Sequence, residues 1–400
     1  MMFSGFKGMD NRHRDDTMPE GFVRNAVNVV FDDLGRVRRV NGVTRVYDGD
    51  SVHSFWRGYF IEGEWLKRFD PVSREVITLA AVGADAMGFT EAAGRVLCGN
   101  GRRGFVIEGD TVMPLGVPSP VQQPNLEARD TGGLFGGEYQ VAVTYLRAGL
   151  ESGCGPASRV TVPDGGGIFF AVPEVPGDID TVAVYVSQVN GDELFLYDEY
   201  PNFAASMSVF IDQHLSSVRL ESQFTFPPVP SRILTAHYGR LYWADGSVLR
   251  YSEPQQYWRT KANNYVRFGG EISLIVSVPG ALFVCADTTY RIGNIDTDEG
   301  FMQRVEVLPY GAAAGTAVYD ERSRTAFWQS HKGFVAANGE GVRELVADAI
   351  ALPRYRLGTM SLIERDGVRH LVAVSRQGEA SNLMDRRFLL DEIERKGNAL

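Results

Sequence analysis

Short apolar runs recur along this chain, each entered through a turn residue. Gly58 leads into Tyr59-Phe60-Ile61, Gly94 into Arg95-Val96-Leu97-Cys98, and Gly239 into Arg240-Leu241-Tyr242-Trp243. Gly280 leads into Ala281-Leu282-Phe283-Val284, and Gly367 into Val368-Arg369-His370-Leu371-Val372. A sixth copy has Ser323 in the glycine's place, ahead of Arg324-Thr325-Ala326-Phe327-Trp328. Glycine supplies the positive φ of a hairpin turn, and a short apolar run bounded by turns fits a buried strand. Three copies continue in the same way: 65–69 with 76–79, 104–107 with 112–115, and 333–336 with 342–345. Each is strand, polar turn, strand, with Asp70-Pro71, Gly109-Asp110 and Asn338-Gly339 at the turns. From Gly239 through Gly280, Ser323 and Gly367 the intervals are 41, 43 and 44 residues, the length of one propeller blade. A lone blade cannot bury both faces, so the repeat predicts a closed six-bladed β-propeller. The competing arrangement is a set of unrelated hairpins in a sandwich.

The repeat breaks once. Gly94 and Gly239 lie 145 residues apart, one blade plus roughly a hundred residues. The break opens with Pro118, Pro120 and Pro124 and closes with Pro227-Pro228-Val229-Pro230, both of which read as linkers. Between them alternate the strand patterns 139–145, 160–162, 182–186, 194–197 and 207–211. These predict an inserted β-sandwich with its own core. The all-β chain then divides into an extended arm (1–23), a first propeller part (24–117), the insertion (118–230), a second propeller part (231–381) and a tail (382–400). Residues 28–31, a turn at 33–35 and 37–40 read as a hairpin, and the stretch 24–48 is expected to complete the last blade. In the tail, Leu383, Phe388 and Leu389 with charges between them fit an amphipathic helix; Arg387-Phe388-Leu389-Leu390 also fits a third strand of the last blade.

Composition narrows the classes. With 44% apolar residues among 400, the chain can build a large core, and 44 glycines fit many tight turns. No apolar run approaches the length of a membrane span, and the first residues lack the long apolar region of a signal peptide. Three widely spaced cysteines, Cys98, Cys154 and Cys285, predict free thiols and synthesis in a reducing cytoplasm. A net charge of −10 excludes a surface that grips nucleic acid as a whole. Arg36, Arg38, Arg39 and Arg45 near Asp32-Asp33 read as a hairpin with cross-strand ion pairs, or as a docking surface for an acidic partner.

No catalytic, cofactor or metal residue can be assigned. The histidines, His13, His53, His214, His237, His331 and His370, show no metal spacing, and no Cys-x-x-Cys occurs. His237 and His370 read as core histidines. The loop from Gly99 to Gly104 lacks the lysine and hydroxyl of a phosphate loop and reads as a hairpin turn. Asp296, Asp298 and Glu299 lack the remaining ligands of a calcium loop. Glu62, Glu64, Asp245 and Glu253 are carboxylates from which a glycosidase pair could be drawn, with nothing to single out two.

Within the insertion, Gly136-Gly137-Glu138-Tyr139-Gln140-Val141-Ala142-Val143-Thr144-Tyr145 and Gly149-Leu150-Glu151-Ser152-Gly153-Cys154-Gly155-Pro156-Ala157-Ser158 resemble a fibronectin type III-like module of tailed-phage virion proteins. The stretch from Asn25 to Gly42 is similar to the opening of tail nozzle (tail tubular) proteins of short-tailed bacteriophages. His237-Tyr238-Gly239-Arg240-Leu241-Tyr242-Trp243-Ala244 with Leu249-Arg250-Tyr251-Ser252-Glu253-Pro254 resembles their hairpin after the insertion. The glycine-rich Asp164-Gly165-Gly166-Gly167 departs from the pattern. The resemblance implies a structural virion protein, not an enzyme: a hexameric ring in the tail tube below the portal and adaptor, contacting other tail proteins, through which genomic DNA passes without sequence-specific binding. The alternative from the residues is a propeller carbohydrate-active enzyme or lactonase with an accessory sandwich.

Overall fold

The computed structural model describes residues 5–32, 34–40, 44–172, 175–202, 207–213, 217–293, 302–346, 348–350, 352, 357–365 and 368–376. Every strand or helix assigned among them is a β-strand. The chain forms two compact units, one of 1–50, 246–249 and 267–400, the other of 51–245 and 250–266.

In the second of these, Val52–Trp56, Tyr59–Glu62, Trp65–Phe69 and Val76–Ala81 form a four-stranded antiparallel sheet in chain order. Gly88–Ala92, Arg95–Gly99, Gly104–Glu108 and Thr111–Pro114 form the next. The two stack through Ile61, Leu66, Met87, Cys98 and Ile107. On its other face the second sheet meets the hairpin of Leu234–His237 and Arg240–Asp245 through Leu97, Val106, Leu241 and Trp243. The turn glycines sit where the repeat puts them. Trp56 pairs Tyr59, Ala92 pairs Arg95 and His237 pairs Arg240 across two-residue loops. Both residues of each loop have positive φ: 46° and 92° at Arg57-Gly58, 50° and 74° at Ala93-Gly94, 40° and 73° at Tyr238-Gly239. That is the type I′ geometry, whose twist matches the flanking strands.

The inserted stretch forms two sheets. One orders Asn125–Leu134, Gly166–Val172 and Met207–Ile211; the other orders Leu150–Glu151, Gly137–Arg147, Thr181–Ser187 and Leu194–Pro201, with Ser158–Val162 also on Gly137–Arg147. Val141, Val143, Val182 and Val184 of the larger sheet share a core with Ile168, Phe170, Val209 and Ile211 of the smaller. The outer face of the larger sheet is also buried, through Ala142, Ala183, Tyr185 and Leu194. The glycine run is not all loop. Gly166 and Gly167 open a central strand, because a Cβ on them would stand 2.6 Å from Arg129 O and 2.7 Å from the Phe210 ring.

In the other unit, Leu274–Val278, Ala281–Cys285, Thr289–Gly293 and Gln303–Leu308 make one four-stranded sheet, and Val318–Asp320, Thr325–Ser330, Gly333–Ala337 and Val342–Leu345 another. Phe283, Trp328, Val335 and Met360 join them and the final hairpin, Leu357–Arg365 with Val368–Arg376, in one core. The copy without a glycine has a longer loop. Asp320 pairs Thr325, and Arg324 takes the positive φ of 51°. The hairpin of Leu234–His237 and Arg240–Asp245 is itself part of a four-stranded sheet that continues through Val248–Tyr251 to Tyr265–Arg267.

The N-terminus differs from expectation. Val29–Phe31 pairs Val37–Arg39 as predicted, but the hairpin stands as its own two-stranded sheet. Among the described residues, no strand of 24–48 joins the final hairpin. Each strand has only three residues, all of Val37–Arg39 are exposed, and Asp32 ties back to Arg36 at 2.8 Å and Arg38 at 3.5 Å. Residues 5–23 are not an extended arm. Gly8–Met9 pairs Phe22–Val23 in parallel, and the Asn11 amide donates to Ala349 O at 2.9 Å. Residues 1–4, Gly367 and the tail from 382 lie outside the described residues.

Candidate functional site at the seam of the inserted sandwich

The inserted sheets meet the surrounding sheets along a seam of buried polar groups. Arg147 ends the long strand Gly137–Arg147, and its side chain is 9% exposed. It donates to Pro114 O at 3.1 Å and to Gly116 O, and pairs Asp178 at 2.6 Å. It therefore clamps the incoming linker by its main chain. Glu151 follows on the edge strand. Its Oε1 accepts from Thr144 Oγ1 at 2.9 Å and Tyr185 OH at 2.8 Å; its Oε2 faces Arg259 Nη1 at 3.5 Å. Its carbonyl accepts from Trp258 Nε1 at 2.8 Å. Trp258 and Arg259 come from the segment after Val248–Tyr251, so one acidic residue of the insertion is read by two residues outside it. Burial and then the Glu151 charge push the Tyr185 hydroxyl up, and the same causes push the Cys154 thiol up to about 12.

The seam closes on glycine. A Cβ on Gly153 would stand 1.9 Å from Thr225 O, and one on Gly155 2.7 Å from Pro120. One on Gly116 would stand 2.4 Å from Pro227, so the two proline linkers run side by side. The Cys154 amide donates to Ser222 O at 3.2 Å. Arg147, Trp258 and Arg259 carry the seam and were not singled out by sequence pattern. Their partners are distant in the chain, and no local spacing marks them.

The carboxylates considered from sequence do not converge. Glu62 pairs Lys67, Asp245 pairs Arg250 at 2.8 Å, and Glu253 pairs Lys261 at 2.8 Å while accepting from Asn264 at 2.6 Å. Burial acts to raise the Glu253 carboxyl, but Lys261 and Asn264 outweigh it and hold it low. Glu64 is exposed, and its carbonyl accepts the Val82 and Gly83 amides. Among the described residues no group of three or more His, Cys, Asp or Glu could hold a metal. Asp296, Asp298, Glu299 and His214 lie outside them. His237 is 5% exposed and packs on Tyr238 and Tyr242; burial pushes it down to about 4. The Gly99–Gly104 loop is a hairpin connection, with the Asn100 side chain accepting the Arg102 and Arg103 amides at 3.0 and 2.8 Å. The three cysteines are free thiols, with Cys98 and Cys285 pushed up to about 12 by burial. A shallow recess at Asp320, Arg322, Glu364 and Arg369 is filled by its own ion pairs. No described helix is long and apolar enough to cross a membrane.

No family model and no curated protein matches the chain. Among solved structures it is similar to BBS1N crystallised in complex with ARL6DN, at 10% identity and TM-score 0.33 over 84% of this chain and 94% of that one. It is also similar to Sqt1 of Saccharomyces cerevisiae, at 8% identity and TM-score 0.26 over 71% and 67%. A third is the extracellular domain of BT4673 from B. thetaiotaomicron, at 10% identity and TM-score 0.25 over 93% and 62%. None of these likenesses bears on what the chain does.

Proposed function

We propose that the chain is a wall subunit of a phage tail nozzle. In this reading the five four-stranded sheets and the final hairpin are the blades of a six-bladed propeller, and the insertion is a fibronectin type III-like module. Six copies form a ring below the portal and adaptor, beside other tail proteins, and DNA leaves along the axis. The observation that carries the reading is the seam. A closed ring of identical copies needs two different surfaces on each subunit, held at a fixed separation. Arg147, Glu151, Trp258 and Arg259 fasten the inserted sandwich to its neighbouring sheets through buried, directional contacts instead of a swinging linker. Such a joint suits a load-bearing wall. The net charge of −10 suits a channel, since a negative wall does not hold passing DNA. Cryo-electron microscopy of the intact particle tests this. The expected density is a six-fold ring of this chain around an open axial channel; a peripheral spike, or absence from the particle, refutes it.

A further inference from the structure

One carboxylate of this chain touches both a primary amine and a side-chain amide. Glu253 Oε2 accepts from Lys261 Nζ at 2.8 Å, and its Oε1 accepts from Asn264 Nδ2 at 2.6 Å. An ionised carboxylate only accepts, so the amide turns its nitrogen toward Glu253, not its oxygen. The main chain holds all three residues in place. Lys261 pairs Thr225 between two short strands, and the Glu253 amide donates to Arg259 O at 3.0 Å. Asn264 is bonded on both sides: its amide donates to Lys261 O at 3.1 Å, and its carbonyl accepts from the Tyr251 amide at 3.2 Å. Asn264 is 8% exposed and the Glu253 side chain 15%, while Lys261 opens to solvent.

The cation is an uncommon choice for this chain. Five of its forty Lys and Arg residues are lysines. Other pairs nearby, Asp245–Arg250 and Glu151–Arg259, use arginine. Arginine keeps its proton at any pH a folded protein meets, whereas a lysine can give its proton up and become a nucleophile. An ion pair alone needs no lysine here; an amine that reacts does.

We propose that Lys261 and Asn264 join in an intramolecular isopeptide bond, with Glu253 as the acid–base group. Lys261 Nζ passes a proton to Glu253 Oε2 and attacks Asn264 Cγ. Glu253 Oε1 delivers that proton to Asn264 Nδ2, the atom it already contacts. The Nζ–Cγ bond forms and the Cγ–Nδ2 bond breaks. Nζ begins with three protons and ends with one; the two it sheds leave on Nδ2 as ammonium, and Glu253 ends as the carboxylate it began as. No oxidant, reductant or co-reactant enters. The reaction runs once per molecule, so a small population of free amine suffices, and well-oriented groups react at effective concentrations of about 10⁵ M or more. The bond pins the end of the segment that also carries Trp258 and Arg259 at the seam. It needs only the folded chain and stands apart from the nozzle reading.

Mass spectrometry of the purified full chain, digested with trypsin after unfolding, tests it. Trypsin cuts after Arg259 and Arg267, so a bridged chain releases Thr260 to Arg267 as one peptide. That peptide should be lighter than its sequence by one ammonia and uncut at Lys261. Glu253→Gln, which keeps the size of the side chain and removes the base, should restore both the full mass and the cut after Lys261. Lys261→Arg should be cut at the same place and show no deficit. A wild-type peptide of full mass, cut at Lys261, would overturn the proposal whether or not either variant folds. So would a deficit that survives Lys261→Arg, which marks an asparagine closed on its own backbone instead.

Discussion

Replacing Arg147 by Met keeps an apolar stem of similar length and removes the guanidinium. Two main-chain acceptors, Pro114 O and Gly116 O, then lose a charged donor. Hydrogen bonds to a charged group contribute about 1.5–3 kcal/mol each, and these carbonyls are only partly shielded, so the low end applies: about 3 kcal/mol for the pair. The third partner, Asp178, is 53% exposed, and its ion pair adds under ~1 kcal/mol. For a unit of this size a loss of about 3 kcal/mol lowers the unfolding midpoint by roughly 6–12 °C. Asp178→Asn removes only the exposed pair and should cost under ~1 kcal/mol. Scanning calorimetry of wild type and both variants reads the difference. If Arg147→Met melts with wild type, or Asp178→Asn costs as much as Arg147→Met, then Arg147 does not clamp the linker through its carbonyls.

Four further outcomes follow from the same structure. Gly153→Ala drives a Cβ into Thr225 O, 1.9 Å away, so the seam should open and limited proteolysis should newly cut the linkers near 118–124 and 227–230. Ala93→Asn places the favoured Asn-Gly pair in an exposed type I′ turn where Ala93 has φ of 50°, and should raise stability in urea by about 0.5 kcal/mol. His237 is held down to about 4 by burial, so the unfolded chain takes a proton that the native state refuses. Its contribution is whole above about 6.5 and is lost as pH falls toward 4, up to about 3 kcal/mol, a drop that should shrink in His237→Gln when denaturant midpoints at pH 7 and 4.5 are compared. The thiols of Cys98, Cys154 and Cys285 are each pushed up to about 12, so an aromatic disulfide reagent at pH 8 should find no fast-reacting thiol until denaturant is added.

The strands and turns were the legible part of this chain, because their causes are local. Gly58, Gly94 and Gly239 announce two-residue hairpins since few residues take positive φ, and the apolar run beyond each has one way to be buried. The Ser323 copy was found in register although its loop is longer, because Ala326 and Trp328 keep the alternation. Asn125–Leu134 was not singled out as a strand, since its residues carry no alternation to betray one. Gly166–Val172 opens on glycines that local rules assign to a loop; only the approach of Arg129 and Phe210 from other strands explains them. The joining of 24–48 to the last blade was a topological rule with no local signal behind it, and among the described residues Val29–Phe31 and Val37–Arg39 pair only with each other.

The seam marks the limit of sequence reading in another way. The stretch from Gly149 to Ser158 carried the family resemblance, and it is also where the insertion touches what surrounds it. Its glycines look like spacers, yet Gly153 and Gly155 are there because backbone and proline stand where a Cβ would go. Its one carboxylate, Glu151, meets Thr144 and Tyr185 of its own sheet and Trp258 and Arg259 from beyond it. A flexible tether would have needed none of these contacts. A joint that buries an arginine against a carboxylate loses most if it bends, because bending would leave both charges without a partner in a poorly hydrated place. The orientation of the sandwich against these sheets is therefore set by contacts within the single chain.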